Sequence, residues 1–524
     1  MLIDAHSLAD GAVVEGDVCI VGSGAAGLTL ARELAGAARR ILVLEAGGLE
    51  ADGDSQAFYA GENVGLPYFP LESCRLRQFG GTTGHWAGFC SPTRPFHLRR
   101  HDWVEDSGWP IDGAELEPYY ARARAALGLP EPGFDPELWS SRLDEPLWPL
   151  DPARIANEQF FIHPLRLGEA RRDEIGQSPT VTAYFNAPVV EIVPDARARH
   201  VEELRGRTTA GTGFVARARH FVLAAGGIEN ARLLLLSNAV QPAGLGNGHD
   251  LVGRYFADHP IWEQAAEIRL IDPGLSLGFY RGLPHDGLSV RGLLRVADAA
   301  QEAERIWPAN FVLYPIWDPA LSEPGMTALR QLRSRVSSGR WPDDLGSQLA
   351  AVAGDLDGIL GLTWRSIRHW GVPVQKLDVL MRLTPVPHRD SRVTLGESRD
   401  ALGVRVARVD WRLGEAEERA ARRGLELLGA EVSRAGIGRL QALVDPAEPS
   451  WIERMVGANH HLGTTRMADE PSRGVVDRHC RVHGIDNLHC AGSSVFPTTG
   501  DGTPTMLIVA LAIRLAEHLK IELG

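Results

Sequence analysis

The chain has 524 residues, of which 44% are hydrophobic and 23% are charged. That composition is typical of a globular protein in water, and the length predicts two joined lobes rather than a single core. The formal net charge is −13. Nucleic acids and anionic membranes both bind to basic surfaces, so neither is an expected partner.

No segment of the sequence is typical of export or membrane insertion. Residues 1–16 lack a basic stretch followed by an apolar one, and the apolar run 506–513 is far shorter than the roughly 20 residues that span a bilayer. The five cysteines are widely spread and form no C-x-x-C pair. This spacing favours reduced thiols over disulfides or a metal site. We therefore predict a cytoplasmic protein with no membrane span and no metal.

The first chemical signal is a glycine-rich turn between a strand and a helix. Residues 17–21 (Asp-Val-Cys-Ile-Val) predict a buried parallel strand, and residues 28–34 have helical spacing. Between them, Gly22 suits a tight turn, and Gly24 lets the backbone approach a pyrophosphate. Gly27 lets the helix pack closely on the strand. The pattern predicts a dinucleotide site.

The elements after the turn support the same prediction. Free backbone N–H groups at the start of the helix, including those of Ala25 and Ala26, suit phosphate binding. A second apolar strand at 40–44 ends in Glu45, 18 residues after the third glycine. Its carboxylate can accept hydrogen bonds from a ribose diol, and Ala46 extends this binding segment. An acid rather than an arginine here argues against NADP, whereas NAD and FAD both remain open.

Distant blocks of sequence separate these alternatives. Residues 79–88 read Phe-Gly-Gly-Thr-Thr-Gly-His-Trp-Ala-Gly, and residues 459–467 read Asn-His-His-Leu-Gly-Thr-Thr-Arg-Met. Further blocks lie at 108–111, 221–235, 253–260 and 487–497. Together they resemble the glucose–methanol–choline (GMC) oxidoreductase family, and the first two are similar to its pyranose oxidase and bacterial sugar dehydrogenase branch. The resemblance implies FAD as the cofactor.

The resemblance also implies the fold. It predicts an α/β protein in which a Rossmann-like FAD-binding lobe joins an α+β substrate lobe built on an antiparallel sheet. We expect residues 1–110, 180–262 and 455–524 to form the FAD-binding lobe. Residues 111–179 and 263–454 would form the substrate-binding lobe, in which 322–370 is a candidate lid or interface.

The family resemblance assigns the candidate catalytic residues. His460 occupies the position of the family's base, which takes the hydroxyl proton while hydride passes to flavin N5, and a neutral imidazole suits that task. His461 is expected to pack structurally. Where the family usually has asparagine or histidine, this chain has Thr503, whose hydroxyl can orient a substrate but cannot act as a base. Asp501 is a weaker substitute, since a turn acid beside glycines is its simpler interpretation.

The remaining candidate residues would contact FAD. The resemblance allows a covalent bond from His85 to the flavin 8α-methyl, and the alternative is a histidine that packs on the flavin edge. Pro504 suits the first turn of the last helix, whose N-terminus would face the flavin. The other predicted contacts are Gly80, Gly81, Thr82, Trp86, Val190, Ala225, Gly492 and Thr505.

The predicted reaction is FAD-dependent oxidation of a hydroxyl on a sugar, glycoside or related alcohol. The electron acceptor stays open between oxygen and a quinone-like or protein acceptor, and the oligomeric state is unknown. Thr503 motivates one rival, a lyase-like enzyme that retains flavin without net redox. A second rival is a non-catalytic FAD-binding subunit, against which the retained His460 and the intact loop at 79–88 speak.

Overall fold

A computed structural model describes residues 1–38, 40–131, 133–272, 274–316, 374–443, 448 and 451–524 of the chain. The segment 322–370, considered above as a lid or interface, lies outside these residues. Strands and helices are numbered below in chain order within the described ranges.

The first sheet has eight strands, most of them parallel. Its order is β1-β7-β3-β2-β10-β9-β8, with β19 pairing beside the end of β10. The pairs along β1-β7-β3-β2-β10 and the pair of β10 with β19 are parallel, whereas β9 is antiparallel to both of its neighbours, β10 and β8. The strands are β1 (Leu2–Asp4), β2 (Ala12–Val21), β3 (Ile41–Leu44), β7 (Val181–Phe185), β8 (Val189–Pro194), β9 (Val201–Arg207), β10 (Gly213–Leu223) and β19 (Leu488–Cys490).

The second sheet is antiparallel and also has eight strands. Its order is β18-β11-β15-β14-β13-β6-β5, with β12 pairing on β13. Alternate residues along β15 are buried, as expected for a strand with one face on a core. The strands are β5 (Phe89–Cys90), β6 (Ile155–Ile162), β11 (Ile261–Leu270), β12 (Leu283–His285), β13 (Leu288–Val296), β14 (Ala309–Ile316), β15 (Lys376–Leu383) and β18 (Gly438–Ala442).

A small third sheet and the helices complete the fold. The third sheet joins β16 (Arg392–Arg399), β17 (Arg405–Asp410) and β4 (Glu62–Asn63). The helices are α1 (Ala25–Leu34), α2 (Gly53–Gln56), α3 (Pro95–Leu98), α4 (Gly113–Ala126), α5 (Pro136–Leu143), α6 (Leu167–Gln177), α7 (Gly227–Leu236), α8 (Gly278–Arg281), α9 (Asp298–Glu304), α10 (Glu415–Arg434) and α11 (Pro504–Leu523).

Two helix groups cover the two large sheets. Helix α11 is buried along most of its first four turns and packs against α1 and α4 beside the first sheet, whereas α10 packs on the second sheet. Pro504 is the first residue of α11, as the sequence predicts. The predicted fold class is confirmed: an α/β sheet with Rossmann-like order is joined to an antiparallel sheet with its own helix.

Candidate active site

One cavity of about 710 Å³ lies between the two large sheets. Its walls come from the strand ends of the first sheet, from the face of the second sheet and from the start of α11. The structure brings almost all the predicted site residues to this cavity. Those that line it are Gly22, Gly24, Ala25, Ala26, Glu45, Ala46, Gly81, Thr82, His85, Trp86, Val190, Ala225, His460, Gly492, Thr503, Pro504 and Thr505.

The first glycine turn has the shape of a phosphate cradle. Gly22 has a φ of +98°, and a Cβ there would lie 2.6 Å from the Ala224 carbonyl oxygen. A Cβ on Gly27 would lie 1.9 Å from the Gly22 carbonyl oxygen, so Gly27 serves packing and does not reach the cavity. Around Gly24, by contrast, no described atom lies within 4 Å of a Cβ position. Backbone N–H groups at the start of α1 are therefore open to an anion in the cavity.

Glu45 is held at the end of β3 by neighbouring donors. One carboxylate oxygen accepts hydrogen bonds from Ser23 N at 2.9 Å and Ser23 Oγ at 2.6 Å, and the other accepts one from Gly47 N at 2.8 Å. Burial raises the pKa of this carboxyl, while those hydrogen bonds lower it. A carboxylate has about four acceptor positions, so about one remains for a ribose hydroxyl.

Ser23 also joins the second glycine-rich loop to this cradle. Its Oγ accepts a hydrogen bond from Gly80 N at 3.0 Å. A Cβ on Gly81 would lie 3.0 Å from the Gly24 Cα, so the two glycine segments touch. Gly80 itself does not line the cavity. It supports the loop, whose next residues, Gly81 and Thr82, do line it.

His85 lies on the same loop and reaches the cavity wall. Burial and the nearby Arg166 guanidinium lower the pKa of His85, so its imidazole is neutral at neutral pH. Trp86 is fixed beside it, because its indole N–H donates to the Leu165 carbonyl at 2.9 Å. A neutral imidazole is the form that could bond to a flavin methyl carbon, and the covalent link itself stays a prediction.

His460 is a half-buried residue of the cavity wall, in an electropositive environment. Its backbone N–H donates to Asp258 Oδ1 at 2.9 Å, which fixes the chain at this point. Burial, His259 and Arg382 hold the pKa of His460 well below its ordinary value. The ring is therefore neutral at neutral pH and can accept a proton.

The hydrogen bonds of His259 decide which nitrogen of His460 is free. His259 is fully buried, and its Nε2 lies 2.8 Å from the Gly500 carbonyl oxygen. That oxygen can only accept, so His259 Nε2 carries the proton and Nδ1 has a lone pair. His259 Nδ1 lies 3.0 Å from His460 Nδ1. The proton between them therefore sits on His460 Nδ1, which leaves His460 Nε2 unprotonated.

Asp258 connects the backbone of His460 to the Tyr68 hydroxyl. Its carboxylate accepts hydrogen bonds from His460 N, from Ala458 N at 3.1 Å and from the Tyr68 hydroxyl at 2.5 Å. Burial raises the pKa of Asp258 to about 6. These contacts hold the segment 458–460 against the start of β11.

His461 points into packing, as the sequence predicts. It is 9% exposed, and its ring stacks on Phe256 with centroids 6.0 Å apart. Burial lowers the pKa of His461 to about 3, so it stays neutral. Its backbone carbonyl accepts a hydrogen bond from Ser493 Oγ at 2.6 Å. One edge of the residue still contributes to the cavity wall.

Thr503 caps the cavity where α11 begins. Its Oγ1 accepts a hydrogen bond from Ser91 N at 2.9 Å, and its backbone N–H donates to Ser91 Oγ at the same distance. This pair ties the start of α11 to β5. The Thr503 hydroxyl also lies 3.4 Å from Ser91 Oγ, and its predicted role in orienting a substrate stays a prediction.

Asp501 belongs to a buried ion-pair network. Arg94 contacts Asp501 at 2.8 Å and also pairs with Asp298. The Arg94 guanidinium holds the pKa of Asp501 well below its ordinary value despite burial. This carboxylate is therefore ionised and already neutralised, which fits a structural turn acid.

Arg382 also lines the cavity, although no sequence pattern singles it out. This residue lies on β15, and its guanidinium donates to the Asp501 carbonyl oxygen at 2.5 Å. No carboxylate within the described ranges forms an ion pair with it. Burial lowers the pKa of Arg382 to about 10, so it remains cationic at neutral pH. Strand periodicity alone does not show that this side chain faces a cavity. His259 was likewise missed, although its block at 253–260 was recognised.

Comparison with known proteins identifies two regions of the chain. Residues 17–310 match a family model described as FAD dependent oxidoreductase, and residues 387–512 match one described as GMC oxidoreductase. The chain belongs to the GMC family of FAD-dependent oxidoreductases. The predicted family, the cofactor and the enzyme class are thereby confirmed.

Individual relatives are distant in sequence, but their alignments span nearly the whole of this chain. It is 23% identical to the fructose dehydrogenase large subunit of Gluconobacter japonicus, over 97% of this chain and 98% of the relative. It is 25% identical to 2-methyl-1,2-propanediol dehydrogenase of Mycolicibacterium austroafricanum, over 96% and 95%. The structure of formate oxidase superposes with a TM-score of 0.56 at 17% identity, covering 98% of this chain and 99% of that one. That last likeness supports the fold.

The residues of the cavity fit the cofactor that the GMC family uses. The open face at Gly24 admits a pyrophosphate, and Glu45 has an acceptor position left for a ribose. The long cavity continues from this cradle to His85, His460 and the N-terminus of α11, which suits an extended dinucleotide. Within the described residues, no helix is long and apolar enough to cross a membrane.

Proposed function

We propose that this enzyme oxidises a hydroxyl group of a sugar, a glycoside or a related alcohol to a carbonyl, with His460 as the base. Two full-length relatives are named for a sugar and for a diol, which supports this substrate class. The observation that carries the proposal is the contact between His259 and His460, because it leaves an unprotonated imidazole nitrogen in a residue of the cavity wall.

Bound FAD supplies the acceptor for the hydride that leaves the substrate carbon. The protein's own part is to bind the substrate hydroxyl and to take its proton. His460 Nε2 accepts that proton, and His259 holds the ring in the required tautomer. Arg382 donates hydrogen bonds to substrate oxygens from the face of the second sheet, and Thr503 contributes its hydroxyl at the start of α11. Arg382 thereby supplies a donor near the base, where the family's usual asparagine or histidine is replaced.

The same proposal assigns the cofactor contacts and the lobes. The predicted cavity residues from Gly22 to Thr505 hold FAD, while Gly27 and Gly80 support its cradle through packing. Residues 1–110, 180–262 and 455–524 form the FAD-binding lobe, and residues 111–179 and 263–454 form the substrate-binding lobe. The neutral state of His85 supports a covalent bond to the flavin. Acid precipitation tests that bond: yellow colour should stay in the pellet, and colour released to the supernatant would contradict it.

Two further assignments complete the proposal. All five cysteines are buried and unpaired, which supports a reducing compartment and hence the cytoplasm. The electron acceptor is oxygen or a quinone-like or protein acceptor. Oxygen uptake compared with reduction of a quinone-like dye, on the same substrate, distinguishes these classes.

A substrate panel tests the proposed reaction. Purified holoenzyme is mixed anaerobically with fructose, other hexoses, alkyl and aryl glycosides and short diols, and the absorbance of oxidised flavin is followed. We expect bleaching with at least one sugar, glycoside or diol, together with the corresponding carbonyl product. Substrate consumption without any bleaching would instead favour the lyase-like enzyme. Absence of both bleaching and product across the panel would favour a non-catalytic FAD-binding subunit.

A further inference from the structure

A second cluster of histidines lies away from the cavity, where α11 ends against the first sheet. His489 on β19 faces His518 and Glu522, which are four residues apart on α11. One ligand atom from each of these three side chains lies within 4.8 Å of the other two. His220, on β10, approaches the same carboxylate. None of the four residues lines the cofactor cavity.

The distances within the cluster are close to those of a metal site. His518 Nε2 lies 3.2 Å from Glu522 Oε1, and His489 Nε2 lies 3.8 Å from Glu522 Oε2. His220 Nδ1 lies 3.5 Å from Glu522 Oε2. Ligand atoms at about 2.0–2.1 Å from a tetrahedral zinc ion are about 3.3 Å apart. Small side-chain rotations would therefore centre His489, His518 and Glu522 on one ion, and His220 approaches from the side of Glu522 Oε2.

Several polar atoms of the cluster lack a hydrogen-bond partner, although Arg481 Nη1 lies 3.7 Å from Glu522 Oε1. His489 is fully buried, and neither of its ring nitrogens makes a hydrogen bond of ordinary geometry within the described residues. The same holds for His518 Nε2, for His220 Nδ1 and for Glu522 Oε2. Buried polar groups in folded proteins are nearly always satisfied by a partner, a water molecule or an ion. Several unsatisfied lone pairs around one point indicate a cation.

The donor set indicates which cation. Imidazole nitrogens with one carboxylate oxygen suit zinc and similar transition ions, whereas calcium and magnesium prefer oxygen ligands. The ring of His479 stacks on the proposed ligand His518, with centroids 4.3 Å apart, and supports it from outside the cluster. The site is also accessible to ions, because the side chains of His518 and Glu522 are 23% and 22% exposed.

We propose that His489, His518 and Glu522, with His220 as the fourth ligand, bind a structural zinc ion. The ion would fasten the C-terminal turn of α11 to β19 and β10. The other end of α11 contributes Pro504 and Thr505 to the cofactor cavity. The site thus stabilises a helix that the cofactor also needs, without taking part in the chemistry. It differs from the expectation of no metal, which rested on cysteine spacing and did not consider histidines distant in sequence.

Zinc titration of the holoenzyme tests this site independently of any substrate. The protein is stripped with a chelator, its FAD content is checked, and zinc chloride is titrated by calorimetry and by thermal melting. We expect one zinc ion per chain and a rise in Tm, whereas magnesium chloride should cause neither. Retention of stoichiometric zinc through dialysis, measured by elemental analysis, is expected as well.

Two ligand variants and one control make the result specific. Glu522→Gln and His489→Leu should weaken zinc binding at least about a hundredfold, since each removes one of four ligands. His479→Gln, which removes only the stacked ring, should still bind zinc one to one. Glu522→Gln keeps the test valid if His489→Leu does not fold, because Glu522 is partly exposed. Absence of stoichiometric zinc in the wild type, or equal affinity in wild type and Glu522→Gln, would overturn the proposal.

Discussion

Replacing His259 by leucine tests how the base is prepared. In the wild type, the Gly500 carbonyl fixes the proton on His259 Nε2. His259 Nδ1 then accepts a hydrogen bond from the protonated Nδ1 of His460 at 3.0 Å. Leucine removes that acceptor. His460 is then free to carry its proton on Nε2, the nitrogen that must accept the substrate proton.

The expected loss follows from the hydrogen bond that is removed. Leaving a buried donor without its acceptor changes the free energy by about 1–3 kcal/mol. At 1.36 kcal/mol per factor of ten, the population of the productive tautomer falls by about 5-fold to 150-fold. The rate constant for flavin reduction at saturating substrate should fall by that factor, while the affinity for FAD should change little, because His259 does not line the cavity.

The measurement is anaerobic stopped-flow with the fastest substrate of the panel. His259→Asn is the matched rescue, because the amide oxygen of asparagine can only accept and can receive the His460 proton. Thr499→Val is the control, since it removes the 3.0 Å contact to His259 Nε2 but leaves the Gly500 carbonyl in place. Both should reduce faster than His259→Leu. Wild-type reduction in His259→Leu with FAD bound would refute the tautomer argument, as would an equal loss in all three variants.

Three other predictions concern pH and the glycine turn. The lowered pKa of His460 keeps the base neutral, so kcat/KM should stay level as pH falls from 8 through its ordinary value near 6.5 and should drop only at more acidic pH; a midpoint at or above 6.5 would contradict this. His461 has a folded pKa of about 3, so below pH 6.5 only the unfolded state takes up a proton on this ring, and stability falls as the pH is lowered. His461→Leu should therefore lose about 2 kcal/mol less than the wild type between pH 7 and pH 5 in urea unfolding, and equal losses would argue against a buried neutral ring. Gly27→Ala should lower Tm and expression because its Cβ meets a backbone oxygen at 1.9 Å, whereas Gly24→Ala should fold normally and lose FAD on dialysis; the reverse order would show that the two roles are misassigned.

Local features of the sequence were enough to predict the nucleotide cradle. Gly22, Gly24 and Gly27 lie close together, between β2 and the first turn of α1. The strand before them and Glu45 after the next strand belong to the same short-range pattern. The roles of these residues depend on backbone geometry that neighbouring residues determine. In the structure, Gly22 and Gly24 line the cavity, and Gly27 packs behind it, which is the packing role that the turn pattern predicts.

Long-range contacts could not be predicted in the same way. His460 was identified only through the family resemblance, and its partner His259 lies 201 residues earlier in the chain. Which nitrogen carries the proton depends on a carbonyl from a third segment, at Gly500. Arg382 comes from a strand whose alternation does not tell which face meets the cavity. Each contact depends on how the two sheets pack together, and a pattern within one segment carries no information about that packing.

The pH dependence of flavin reduction in His460→Ala shows whether His460 takes the substrate proton. We expect the variant to keep its FAD and to reduce about 10²- to 10⁴-fold more slowly than the wild type, the usual contribution of a general base. The rate of the variant should also rise steadily with pH as hydroxide replaces the missing base. A variant that reduces as fast as the wild type at every pH measured would contradict the assignment of His460.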